Sequence, residues 1–202
     1  MSFTLIIVVI ISLVSLAGFN NEDLRSKLLL WPKRMDGPGE YYRFLTCGFV
    51  HSDYMHLIFN MLALYSFGEA VEMYFGMLQL PVYLFPVLFL SGIVASSIPS
   101  YMRHKNNAYY RSLGASGGVS AVVFAAIYFA PWNKIILFVF PIPGIILAIT
   151  YVIYSAYMDK KGNDNIGHDA HLWGAVYGFL FTLVFEPSHG KLFIDALMHP
   201  SF

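Results

Sequence analysis

Apolar residues gather in six long stretches, at roughly 3–19, 54–74, 78–98, 113–130, 135–158 and 167–185, with polar segments between them. A helix that spans the hydrocarbon core needs ~17–25 residues, and all six stretches qualify. Backbone polar groups must be paired inside lipid, so each stretch is predicted to be a helix. The links between spans two and three and between four and five are very short. The link at 20–53 is long and is punctuated by Trp31-Pro32 and Gly37-Pro38-Gly39, with Tyr41-Tyr42 following. It is too apolar for a free tail and is predicted to lie on or partly in the membrane interface. Pro81 and Pro86 in span three, and Pro141 and Pro143 in the first half of span five, predict kinked helices. Span four is thin instead, with Gly114, Gly117, Gly118, Ala121, Ala125 and Ala126. Span six carries Gly174 and Gly178 in a G-x-x-x-G pattern. Small residues let helices approach closely, so span four is expected at the centre, packed against span six.

Composition sharpens this picture. The chain has 202 residues, 57% hydrophobic and 12% charged, with mean hydropathy +0.61. Soluble domains carry about 25% charged residues, so the class predicted is an all-α, multi-pass integral membrane protein forming one domain over 1–202. The formal charge is +0, which offers nothing to nucleic acid. Cys47 is the only cysteine, so no internal disulfide can form. The first basic residue, Arg25, follows the first apolar run, and no A-x-A site stands out. That run is therefore read as a retained span rather than a cleaved signal.

Candidate chemistry lies at the polar mouths of the even-numbered spans, which cross in one direction and so begin on one side. Ser116 stands in Gly114-Ala115-Ser116-Gly117-Gly118 at the start of span four. His171 opens span six, and His56 and Asn60 share a face of span two at i and i+4. Polar residues inside a membrane are functional candidates. A serine hydroxyl needs an adjacent base, and histidine is the usual one. Free N–H groups at the start of span four, around Gly114 and Ala115, and the side chains of His56 and Asn60 could donate to an oxyanion. The glycines beside Ser116 would leave room for a substrate backbone. Plainer roles suit the other polar residues: His168 at a boundary, His51 and Glu72 bracing loops, Arg43 structural or interfacial. Four histidines could in principle hold a metal, but no H-E-x-x-H occurs, and neither metal nor cofactor is expected. Ser116 could also be merely a small packing residue.

Gly114-Ala-Ser116-Gly, His56-x-x-x-Asn60, Ala170-His171-x-x-Gly174-x-x-x-Gly178 and Gly68-x-x-x-Glu72-x-x-x-Gly76 together resemble the rhomboid intramembrane serine proteases. Tyr42-Arg43 is similar to the aromatic–Arg pair of that family's first loop. The resemblance implies a six-helix bundle and a Ser–His dyad with Ser116 as nucleophile and His171 as base. It implies that His56 and Asn60 assist the oxyanion, and that the partners are membrane lipid and transmembrane segments of substrate proteins, cut near one face. It implies residence in a cell (inner) membrane and a fifth span that is a candidate side gate. The chain departs from the family at Ser120, where an aromatic residue often stacks on the histidine. Charge is a second departure. The mouth side carries ten basic residues and the other side two, which by the positive-inside rule places the mouths in the cytoplasm. The resemblance places them outside, and it is preferred because an embedded first link need not count as an ordinary loop. The alternative function is a non-catalytic rhomboid-like protein that binds transmembrane segments; a transporter, with no evident paired halves, is a weaker third.

Overall fold

The computed structural model describes residues 1–137, 140–161 and 167–200. Each of the six apolar stretches contains all or part of one helix: α1 (Phe3–Phe19), α4 (Tyr54–Met77), α5 (Leu84–His104), α6 (Ser116–Phe129), α7 (Gly144–Lys161) and α8 (His168–Phe185). Two short helices, α2 (Glu22–Leu28) and α3 (Arg43–Thr46), lie in the first link, and α9 (His189–Met198) follows α8. By length and composition α5 is the one described helix able to cross a membrane alone, while α1 and α6 are shorter apolar helices.

The prolines move two boundaries. Helix α5 starts six residues later than the 78–98 expected. Pro81 falls in the preceding turn, and Pro86 occupies the third helical position, where its missing N–H has no intrahelical partner to lose. The expected helix at 135–158 is wrong in its first part. Residues 134–137 (β1) and 140–143 (β2) form an antiparallel hairpin, and α7 begins only at Gly144; residues 138 and 139 of the expected span lie outside the described residues. Gly144 N–H donates to the Asn133 carbonyl at 3.0 Å. By the alternation of antiparallel pairing, Pro141 and Pro143 then sit where the nitrogen faces away from β1, the one place a strand tolerates proline. They do not kink a helix.

Helix α6 is central and almost wholly buried, packed by α4, α5 and α8. Its contact with α8 is backbone to backbone. A Cβ built on Gly174 would lie 2.2 Å from the Gly117 carbonyl oxygen, and one on Gly178 would lie 2.0 Å from that of Ala121. The two pairs define a parallel register that keeps both helix starts at one end. Helix α1 crosses α4 where Gly68 meets Thr4. There the Glu72 carboxylate accepts from the Thr4 N–H (2.5 Å), the Thr4 hydroxyl (2.7 Å) and the Phe3 N–H (3.2 Å). Glu72 thus satisfies orphan donors at the start of α1, rather than bracing a loop. Helix α7 is the loosest: Ile149, Ile153, Tyr154 and Tyr157 are exposed. An apolar cleft of about 380 Å³ lies between it and α6, α8 and α9, lined among others by Phe124, Ile149, Val152 and Phe179.

The first link is more ordered than its composition suggests. Buried Arg43 donates to the carbonyls of Ser26 and Leu29, both at 2.9 Å, and to Glu40 at 2.5 Å. Leu30 and Ser112 exchange backbone hydrogen bonds, which joins this link to the segment leading into Ser116. Trp31 carries Arg34 and Arg111 each at 3.8 Å from its ring centre.

Candidate active site

Ser116 is the first residue of α6 and is partly exposed. The chain reaches it through Gly114, whose φ of +121° is a conformation that side chains rarely adopt. A Cβ there would also lie 2.6 Å from Cε1 of His56. Glycine is needed at this position for both reasons, and the contact sets the His56 ring directly against the serine loop. His56 Nδ1 lies 3.0 Å from the Ser52 hydroxyl, which donates to Asp53 at 2.7 Å. Asp53 in turn caps α4 by accepting from the His56 N–H at 2.9 Å. One turn on, buried Asn60 donates from Nδ2 to the His56 carbonyl at 2.8 Å. His171, in the first turn of α8 and partly exposed, lies one turn before Gly174. The Gly117–Gly174 register therefore brings it to the Ser116 end of α6. The Ala170 carbonyl stands 3.6 Å from where a Gly117 Cβ would be.

Two N–H groups expected to be available are engaged. Gly114 N–H donates to the Cys47 carbonyl at 2.9 Å, and Ala115 N–H donates to Nε2 of His51 at 3.2 Å. The N–H groups of Ser116, Gly117 and Gly118 precede the first i→i−4 bond, from Val119 to Ala115, and are the helix-start donors that remain.

His51 does more than brace a loop. Its Nε2 accepts from Ala115, so in the neutral ring Nδ1 carries the proton. Nδ1 donates to Ser15 Oγ at 2.8 Å, and the Ser15 hydroxyl donates to the Phe49 carbonyl at 2.9 Å. Each donor in this chain meets one acceptor, and α1 is thereby tied to the residue before Ser116. Burial first, then the neighbouring His56, push His51 from 6.5 down to about 3, against the raising effect of Asp53. The folded value lies below the unfolded one, so the stability it reflects is present above about pH 6.5 and is lost as pH falls towards 3. The expected loss is ~1.4 kcal/mol per pH unit in that window. Thermal unfolding in detergent between pH 7 and 5 checks it. His51→Gln should flatten the slope, and an unchanged slope would remove His51 from this role.

Two residues not foreseen as part of the site stand beside His171. The Tyr151 ring of α7 is nearly parallel to the imidazole, with centres 6.0 Å apart and planes at 18°. Its hydroxyl lies 2.7 Å from Ser120 Oγ. The His168 ring meets His171 edge-on at 6.0 Å, and Tyr154 meets His168 at 5.6 Å. No local pattern flags Tyr151, which is 31 residues from Ser120; the only clue is the missing aromatic at position 120.

Comparison with known proteins places the chain in a family. The Rhomboid domain family profile matches residues 38–188. The chain is 31% identical over 153 residues to RHOMBOID-like protein 12, mitochondrial, of Arabidopsis thaliana, a match covering 68% of this chain and 44% of that protein. It is 32% identical over 139 residues to Rhomboid protease GluP of Bacillus subtilis, covering 69% of this chain and 25% of that one. With Rhomboid protease GlpG of Haemophilus influenzae it shares 26% identity over 186 residues, 90% of this chain and 89% of the relative. The matched region thus spans less than half of the first two proteins and most of the third. From the serine loop at the start of α6, the glycine-paired start of α8 and a family profile that covers most of its length, we conclude that this chain belongs to the rhomboid family of integral membrane proteins.

Proposed function

We propose that the chain is an intramembrane serine endopeptidase in which Ser116 is the nucleophile and His171 the general base. The observation that carries this reading is the convergence of three helix starts, with His56 against Gly114 and α8 locked on α6 so that His171 lies at the Ser116 end. Helix length supports an intramembrane site. Fourteen residues of α6 rise only ~21 Å, against a hydrocarbon core of about 30 Å. With its far end at one interface, Ser116 would stand on the order of 10 Å short of the other. In this reading the six long helices form one membrane-embedded domain over 1–202, with α6 starting inside the hydrocarbon, and substrates are transmembrane segments of other proteins.

Ser116 Oγ attacks the scissile carbonyl carbon while His171 takes its proton. The tetrahedral intermediate then collapses, the C–N bond breaks, and His171 returns the proton to the leaving amine. A water deprotonated by His171 releases the acyl group. One amide hydrogen of Asn60 is held by the His56 carbonyl, and the second is the side-chain donor assigned to the oxyanion. The Ser52 proton goes to Asp53, so the neutral His56 ring donates from Nδ1, and its Nε2 joins only when the ring is protonated. Asn60→Ala is therefore expected to slow single-turnover cleavage by ~10²-fold without abolishing it, because the helix-start N–H groups remain. A full rate in that variant, at unchanged stability, removes Asn60 from the oxyanion site.

The deciding experiment is labelling of the purified protein with a serine-directed fluorophosphonate, with cleavage of a model transmembrane substrate alongside. Labelling that is absent in both the parent and Ser116→Ala would favour the non-catalytic binding protein. The mouth is proposed to face the non-cytoplasmic side of a cell membrane. Burial pushes the Cys47 thiol up to about 11, and Asn106 is exposed in the link before Ser116. A cysteine at Asn106, in a Cys47→Ser background, should react with an impermeant reagent on intact cells. Protection until lysis would reverse the orientation.

A further inference from the structure

We propose that Tyr151, held by Ser120, is the positioning residue for His171, so that the base is oriented by α7 rather than by α6. This rests on His171 being the general base. The missing aromatic at position 120 would leave one face of the imidazole unsupported from α6. Tyr151 covers a face from the opposite helix, near-parallel at 6.0 Å, within the range of offset stacking. Ser120 is not simply a vacated position. It is buried, and its hydroxyl lies 2.7 Å from that of Tyr151, which fixes how far the ring reaches across. The serine and the tyrosine thus do together what one aromatic on α6 would do alone.

The consequence follows from where Tyr151 sits. Helix α7 packs on α6 and α8 through Ala148, which is buried against Phe124, Ile127 and Ala175, and an apolar cleft of about 380 Å³ opens beside that contact. At the mouth end its contacts among the described residues include Tyr151 to Ser120, His171 and Phe124, Tyr154 to His168, and Asp159 to Arg103 at 2.5 Å. Any displacement of α7 would remove the ring from the base. The dyad is therefore competent only with α7 in the position that stacks Tyr151 on His171.

The test uses the full chain in detergent, with kcat and KM measured separately on a model transmembrane substrate and thermal unfolding recorded for every variant. Tyr151→Leu keeps the apolar volume and should lower kcat by about 10²-fold, a general-base-sized loss, with KM changed less than about threefold. Tyr151→Phe and Ser120→Ala break the same hydroxyl contact. Each should lower kcat by about tenfold, and the double variant should be no worse than either. Ser120→Tyr introduced into Tyr151→Ala should recover at least about tenfold of the lost kcat. Unchanged kcat in Tyr151→Leu, or losses that follow the unfolding midpoint without rescue, overturns the proposal. An activity-independent readout separates it from the protease reading. The His171 ring-proton resonance, assigned by its disappearance in His171→Gln, should move in Tyr151→Leu when the ring current is lost. A shift in a protein that neither labels nor cleaves leaves the stack standing and the protease reading refuted; a resonance that does not move refutes the stack itself.

Discussion

Ser116→Ala is expected to abolish cleavage of a model transmembrane substrate and fluorophosphonate labelling while leaving the unfolding midpoint in detergent within about 2 °C. Ser116 opens α6, where its side chain is partly exposed and no described hydrogen bond of the fold depends on its hydroxyl. Removing one oxygen there costs little packing. The chemical cost is large, because among the described residues no other hydroxyl follows a positive-φ glycine at the start of a central helix. Residues that act as one unit are strongly non-additive. His171→Ala should therefore be as inactive as Ser116→Ala, on the order of 10⁴-fold or more below the parent, and the double variant should be no worse. Cleavage at the parent rate by Ser116→Ala would withdraw the nucleophile assignment. A double variant much slower than both singles would mean that the two residues act in separate steps.

Gly178→Ala is expected to damage the fold more than any other single methyl added to the bundle. Its Cβ would lie 2.0 Å from the Ala121 carbonyl oxygen and 2.4 Å from the Ala121 Cα. Those atoms are backbone within the central helix, so no side chain can turn aside. Helices α6 and α8 must separate, which opens the contact that sets the Ser116–His171 register. Overpacking commonly costs ~1–3 kcal/mol, and a clash with backbone belongs at or above the top of that range. Helix separation also weakens the close packing that holds membrane helices together where lipid supplies no hydrophobic drive. Gly76→Ala is the control: nothing lies within 4 Å of its Cβ, and alanine is the better helix former. Unfolding in a mild detergent should show a large loss for Gly178→Ala and none for Gly76→Ala. Equal midpoints would show that the α6–α8 contact is not the bundle's tightest.

The sequence by itself determined where most of the long helices lie and which helix is central. Apolar runs too long to leave unpaired backbone in lipid predict helices, and α1, α4, α6 and α8 start or end close to the expected positions. The small residues of span four and the Gly174–Gly178 pair foretold the α6–α8 contact, since only missing side chains let backbones touch. Ser116, His171, His56 and Asn60 were legible as candidates because polar residues at the mouths of parallel helices are rare. Tertiary structure decided the rest. Proline alone does not say whether a chain kinks or leaves the helix, and Pro141 and Pro143 took the open edge of a hairpin because β1 folded back to pair with the intervening residues. Glu72 became the acceptor for the start of α1, and Arg43 the clasp of the first link, through partners 68 and 14–17 residues away. The N–H groups of Gly114 and Ala115 were committed to Cys47 and His51 by the way that link packs under the serine loop. The ring beside His171 came from α7, because stacking requires only that two rings face each other in space, and no spacing along the chain records that.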